Sequence, residues 1–102
     1  MDVYIEKLGM RFFWHDKKLR ANERNHDGIS LEEAIEAFLD PDAIYTSAGE
    51  GHTDNRQALI GKTEKSVTLF VVQIEHTDFD VLFISARHAT TDERKRYEAR
   101  LY

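Results

Sequence analysis

The chain has 102 residues, a formal net charge of −5 and no cysteine, and 41% of its residues are hydrophobic. This length suits a single domain over residues 1–102, and the absence of cysteine excludes disulfides, thiolate catalysis and cysteine-based zinc sites. The acidic balance argues against a generic nucleic-acid binder, and the longest apolar runs are too short to span a membrane. The N-terminus also lacks a signal-peptide pattern, so we expect a cytoplasmic protein with no membrane association.

The first half of the chain is predicted to form one strand followed by two helices. Met10–Trp14 is typical of a short strand, and a helix is expected over residues 16–25. The second helix has the stronger pattern, because Ser30 and Glu33 can form a capping box ahead of apolar residues at helical spacing. This second helix is expected to end before Pro41.

The second half is predicted to contain four strands and a final helix. The expected strands are residues 43–46, 56–61, 67–74 and 79–85. Their short connections imply antiparallel neighbours, and Thr90 with Glu93 forms a second capping box that opens a helix to about Leu101. The predicted fold is therefore α+β, an antiparallel four- to five-stranded sheet with two N-terminal helices packed on it and a C-terminal helix (β-αα-ββββ-α).

Nine of the fourteen basic residues lie in two short segments. These nine residues are Lys17, Lys18, Arg20, Arg24, Arg87, Arg94, Lys95, Arg96 and Arg100. They form either two solvated helix faces or one basic patch that the fold brings together. The five histidines lack the spacing of a zinc site, so no metal and no cofactor is expected.

Several side chains have the chemistry that metal-free RNA cleavage needs. Arg56 and Arg87 could bind a phosphate through paired N–H groups, although Arg87 could instead cap the sheet or pair with a carboxylate. His26 or His88 could transfer a proton to or from a ribose hydroxyl. Residue types alone leave this interpretation open.

A series of motifs resembles the BrnT-type toxins of bacterial type II toxin–antitoxin modules. The motifs are "FFWHDKKLRANERNHDGISLEEAIEAFLDP", "RQALIG" and "ISARHATTDERKRYE". The resemblance covers about Met10 to Tyr97, and residues 1–9 are a possible extra N-terminal extension, either an extra strand or an extended start. It implies a RelE-like α+β fold and an endoribonuclease that inhibits translation. It also implies an RNA substrate and a cognate antitoxin of the ribbon-helix-helix type, with which the chain would form a hetero-oligomer.

The resemblance also assigns roles to individual residues. His26, Arg56 and Arg87 are the predicted catalytic residues. The predicted substrate-binding residues are Lys17, Lys18, Asn22, Arg94 and Tyr97.

The chain departs from the family pattern at three kinds of position. Asn25 replaces a lysine, Asp27 is inserted, and Asp78 and Asp80 stand where arginines often occur. A second hypothesis is therefore a catalytically weakened homologue that acts as a binding module for an antitoxin-like partner. A ligand- or metal-binding domain is a third.

Overall fold

The computed structural model describes residues 2–15, 28–49 and 55–99, which form a six-stranded sheet and two helices. The strands are β1 (Asp2–Lys7), β2 (Met10–His15), β3 (Ile44–Thr46), β4 (Arg56–Lys62), β5 (Thr68–Thr77) and β6 (Asp80–His88). The helices are α1 (Leu31–Phe38) and α2 (Thr91–Ala99).

The sheet is mixed, with strand order β1-β2-β6-β5-β4-β3 and a parallel pairing between β2 and β6. The prediction of an antiparallel four- to five-stranded sheet was therefore wrong. Strand β5 runs antiparallel to β2, so it ends at the end of the sheet where β2 begins. As a result β6 begins beside the start of β2 and runs in the same direction.

The expected pair of N-terminal helices on one face is also corrected. The helix predicted for residues 16–25 falls in a segment outside the described residues. In the described ranges, one helix precedes the strands β3 to β6, and α2 lies on the opposite face of the sheet. The helix predicted to follow Ser30 is confirmed as α1.

Residues 2–7 form β1, which pairs with β2 as a hairpin. Leu8 and Gly9 connect the two strands with φ values of 54° and 76°. Two consecutive positive φ values are the mark of a type I′ turn, whose twist matches that of the strands it joins. Leucine seldom adopts this conformation, so the turn is not evident from the sequence.

The inner face of the sheet, defined as the face that α1 covers, carries the main hydrophobic core. The Ser30 hydroxyl caps α1 by accepting from the Glu33 backbone N–H, and the Glu33 carboxylate accepts from the Ser30 N–H, both at 3.1 Å. Gly61 permits close packing, because a Cβ there would collide with the carbonyl oxygen of Ala37. The sheet residues of this core are Phe12, Trp14, Leu59, Leu69, Val71, Val81, Phe83 and Ala86.

Strand β6 contains a β-bulge that changes which face its side chains occupy. Consecutive residues of β5 lie opposite Ser85 and Phe83, which leaves Ile84 as an extra residue on β6. Because side chains alternate along a strand, this extra residue places Phe83 on the inner face and Arg87 on the opposite, outer face.

Helix α2 crosses the outer face of the sheet. Near its start Glu93 contacts Arg87 on β6, and further along Arg96 contacts Thr46 on β3. The buried side chain of Ile60, which lies opposite Phe70, belongs to the part of the outer face beneath this helix. The outer face therefore combines a helix with the arginines of β4 and β6.

Candidate active site

Arg87 is held on three sides at the end of β6. Its guanidinium carbon lies 4.2 Å from the centre of the Phe70 ring, on the strand directly opposite. Nη1 and Nη2 donate to the two carboxylate oxygens of Glu93 at 2.7 and 2.9 Å, and Nη1 also donates to the His88 carbonyl at 3.2 Å. These contacts fix the orientation of the guanidinium plane.

Glu93 belongs both to this ion pair and to the cap of α2. Its Oε1 accepts from the Thr90 backbone N–H at 2.8 Å, while the Thr90 hydroxyl accepts from the Glu93 N–H at 3.2 Å. The hydrogen bonds from Arg87 are the largest cause of a lowered Glu93 pKa, and burial opposes them. Glu93 is therefore ionised at neutral pH and couples Arg87 to the start of the helix.

One edge of the Arg87 guanidinium faces away from Glu93. A guanidinium has five N–H donors, and the contacts within the described part of the chain account for two at Nη1 and one at Nη2. The remaining Nε–H and second Nη2–H lie side by side, in the arrangement that binds two oxygens of a phosphate. Glu93 thus leaves Arg87 able to bind an anion through this edge.

Arg56 lies on the same outer face, two strands away. It is opposite Ile74 on β5, whereas Arg87 is opposite Phe70 on the same strand. Four residues along a strand and two strand spacings separate the two Cα atoms by about 16 Å. Arg56 borders a shallow cleft of about 450 Å³ between β3 and β4.

Two further predicted site residues lie on α2. Tyr97 is only 3% exposed, and its hydroxyl donates to Asp40 Oδ2 at 2.5 Å, which anchors the helix to the segment after α1. Arg94 is exposed and borders a separate cleft of about 600 Å³ together with Lys62 and His88. Substrate binding by Arg94 and Tyr97 stays a prediction.

The remaining predicted residues fall within residues 16–27. Lys17, Lys18, Asn22 and His26 therefore lie outside the described residues, and their roles stay predictions. Of the predicted catalytic set, the structure places Arg56 and Arg87 on one face.

The sequence interpretation did not include Phe70 among the site residues. Phe70 falls on the alternation of β5 like an ordinary strand residue, and only the pairing of β5 with β6 brings its ring beneath Arg87. A pairing between residues distant in sequence leaves no local signal.

Asp80, one of the departures from the family pattern, is paired with a base. Its carboxylate accepts from Arg11 Nε at 2.7 Å and Nη2 at 3.1 Å, and from the Thr77 hydroxyl at 3.0 Å. The hydrogen bond from Arg11 is the main cause of a lowered Asp80 pKa. The negative charge at this position is therefore locally compensated.

The described ranges hold neither a cluster of metal-binding side chains nor a membrane-spanning helix. Residues 2–15, 28–49 and 55–99 contain no group of three or more histidines and carboxylates placed to hold a metal ion. The helices described there are too short or too polar to cross a membrane.

Comparison with known proteins identifies the family. A family model described as the ribonuclease toxin BrnT of type II toxin–antitoxin systems matches residues 14–93, more than three quarters of the chain. The search of curated proteins finds no match. The matched region runs from Trp14 on β2 to Glu93 on α2, and so includes both arginines of the outer face. The chain belongs to the BrnT family of ribonuclease toxins of type II toxin–antitoxin systems.

Proposed function

We propose that this toxin is a metal-independent endoribonuclease that binds RNA on the outer face of its sheet and inhibits translation by cutting it. Membership of the family implies an RNA target and an antitoxin partner. The observation that carries the proposal is the fixed orientation of Arg87, which leaves two adjacent N–H donors for a phosphate.

The proposed reaction is an internal displacement at phosphorus. The ribose 2′-oxygen loses its proton and attacks the adjacent phosphorus, and the bond to the 5′-oxygen breaks as that oxygen gains a proton. The products are a 2′,3′-cyclic phosphate and a 5′-hydroxyl. Arg87 stabilises the extra negative charge on phosphorus, and His26 transfers a proton.

Five of the other predicted residues contact RNA on either side of the cleaved bond. Arg56 binds phosphate from β4, while Lys17, Lys18, Asn22 and Arg94 contact the flanking strand. The phosphate contacts of the lysines and arginines in this set offset the repulsion between RNA and a protein whose net charge is −5.

The central test is RNA cleavage in the presence of EDTA. The unmodified protein should produce fragments with cyclic phosphate ends, and Arg87→Ala should cut about 10²- to 10³-fold more slowly. Arg11→Ala is the matched control, since Arg11, like Arg87, is an arginine on a strand that forms an ion pair with a carboxylate. Absence of cleavage in EDTA, or equal rates for Arg87→Ala and Arg11→Ala, would refute the proposal.

A second test concerns the proton-transfer role of His26. His26→Asn should lower the cleavage rate and remove one limb of its pH dependence, whereas His76→Asn, an exposed histidine on β5, should leave both unchanged. An unchanged pH profile in His26→Asn would exclude this role.

The antitoxin is proposed to be a ribbon-helix-helix DNA-binding protein, on the basis of the family resemblance. Co-expression with the product of the adjacent gene should yield a stable complex that lacks RNA-cleaving activity. Isolation of an inhibitory partner with a different fold would contradict this assignment.

A further inference from the structure

We propose that Arg56 and Arg96 form a phosphate-binding site around Thr46, which holds a second phosphate of the RNA at a distance from Arg87. This inference rests on the proposed function, because it identifies how a further part of the same substrate is bound. Arg96 was not among the predicted site residues.

The contact between Arg96 and Thr46 joins α2 to the edge of the sheet. Arg96 Nη2 donates to Thr46 Oγ1 at 2.9 Å across 50 positions of sequence. This hydrogen bond directs an otherwise exposed guanidinium toward β3. Only one of its five donors is used in that bond.

Arg56 lies beside Thr46 on the same face. Thr46 is directly opposite Ala58 in the pairing of β3 with β4, and Arg56 is two residues before Ala58. Diagonal neighbours of this kind have Cα atoms about 7–8 Å apart, which is within reach of a long side chain. Two arginines from different elements are therefore neighbours of one threonine.

The space next to these residues fits a polar ligand. The cleft of about 450 Å³ between β3 and β4 is bordered by Arg56, Thr46 and Ser47, and it is open to solvent. Its charged and hydroxyl side chains are donors of the kind that bind phosphate oxygens. Arg96 contacts Thr46, which borders this cleft.

Arg87 occupies a different position on the outer face. Its guanidinium is held over Phe70 by Glu93 and by the His88 carbonyl, at the end of β6. Arg56, on β4, is opposite Ile74 of β5, and Ile74 is four residues along β5 from Phe70, which lies opposite Arg87. We therefore assign the two sheet arginines to different phosphates, with Arg96 as the partner of Arg56.

Binding of a non-cleavable RNA tests the inference separately from catalysis. The probe is a fluorescent single-stranded 2′-O-methyl oligoribonucleotide, which lacks the attacking hydroxyl, and its binding is followed by anisotropy at several salt concentrations. Arg96→Gln should weaken binding about tenfold. It should also reduce the slope of log affinity against log salt by about 0.7, the value for one phosphate contact with a single strand.

Lys95→Gln is the matched control, because it removes the same charge from the adjacent exposed position of α2. It should keep the affinity and the salt slope of the unmodified protein. Thr46→Val, which removes the oxygen that directs Arg96, should show a smaller loss than Arg96→Gln.

Three results would overturn the inference: equal affinities for Arg96→Gln and Lys95→Gln, no binding of the probe by the unmodified protein, or Arg96-dependent binding of a hexaglutamate peptide without Arg96-dependent binding of RNA. The last result would assign the site to an acidic protein segment. Arg96-dependent binding without RNA cleavage would refute the proposed ribonuclease reaction and leave the phosphate site standing.

Discussion

Substitution of Glu93 by glutamine isolates the ion pair that orients Arg87. The amide oxygen can still accept from the Thr90 N–H, so the cap of α2 is retained. What is lost is the negative charge of the carboxylate, whose two oxygens accept from the Arg87 guanidinium at 2.7 and 2.9 Å. The change in the free energy of unfolding therefore reports mainly on this pair.

The size of the expected loss in the free energy of unfolding follows from how exposed Arg87 and Glu93 are. The Arg87 side chain is 39% exposed and that of Glu93 is 15% exposed, so the pair is intermediate between surface and buried ion pairs. Surface pairs contribute about 0–1 kcal/mol, while removing one partner of a buried pair costs about 3–5 kcal/mol. After allowing for solvent screening of Arg87, we expect a loss of about 1–2 kcal/mol, or about 5–10 °C in Tm for a domain of this size.

The stabilisation from Glu93 should also depend on pH. Arg87 lowers the folded-state pKa of Glu93 below its ordinary value of about 4.3, so the stabilisation is fully present above that value. It is lost as the pH falls through the folded-state pKa. The stability difference between the unmodified protein and Glu93→Gln should therefore be constant near neutral pH and shrink in acid.

Urea denaturation followed by circular dichroism measures this difference. Asp92→Asn is the matched control, because it removes the same charge from an exposed residue in the same helical turn. A double-mutant cycle with Arg87→Gln should give a coupling of about 1 kcal/mol. Equal stabilities for Glu93→Gln and Asp92→Asn would refute the stabilising role of the pair.

Three other changes test contacts elsewhere in the fold. Tyr97→Phe removes the donor to Asp40 and should cost about 1–2 kcal/mol in thermal unfolding, because a partly buried carboxylate oxygen loses a partner. Gly61→Ala should cost about 1–3 kcal/mol in urea denaturation, because the added methyl group forces α1 away from the sheet. Arg11→Gln should raise the pKa of Asp80 in an NMR titration, because Arg11 is the main cause of its lowered value.

Each of these changes has a result that would contradict it, and Tyr97→Phe also has a control variant. Tyr4→Phe, on an exposed tyrosine of β1, should change stability by less than about 0.5 kcal/mol, and an equal effect of Tyr97→Phe would contradict the anchoring role. Full stability in Gly61→Ala would show that α1 has room to move. An unchanged Asp80 titration in Arg11→Gln would refute the ion pair in solution.

Local sequence signals were sufficient to predict both helices of the described region. The capping boxes at Ser30 and Thr90 place oxygen acceptors and donors within three residues of each other, so the information is contained in one turn. Strand positions in the second half were also predicted, with ends displaced by at most three residues. Polar residues at strand ends, such as His76, do not show where pairing stops.

Strand neighbours were not predictable in the same way. The parallel contact of β2 with β6 joins segments about 70 residues apart, and no feature of either strand specifies the other. The β1–β2 hairpin depends on Leu8 in a left-handed conformation. In both cases the structure is determined by contacts with other parts of the fold, which a local sequence pattern does not reveal.

The candidate site shows the same division. Arg56 and Arg87 were selected as candidates through residue chemistry and family resemblance, and the register of β4, β5 and β6 places both on the outer face. The carboxylate on Arg87 was left open as an alternative, and its identity as Glu93 follows from the path of α2. The proton-transfer role of His26 stays a prediction.

The extra residue Ile84 also determines what deletions the chain can tolerate. In a regular strand that kept Ile84, Phe83 and Arg87 would be four positions apart and would point to the same side, and the bulge is what places them on opposite sides. Deleting Ile84 should therefore keep Phe83 on the inner face and Arg87 on the outer face, because the two residues would then be three positions apart in a regular strand. Deleting any residue of β6 outside the interval from Phe83 to Arg87 would leave these two faces unchanged relative to each other, so the pairing register with β5, and not the number of residues between them, determines where each side chain points.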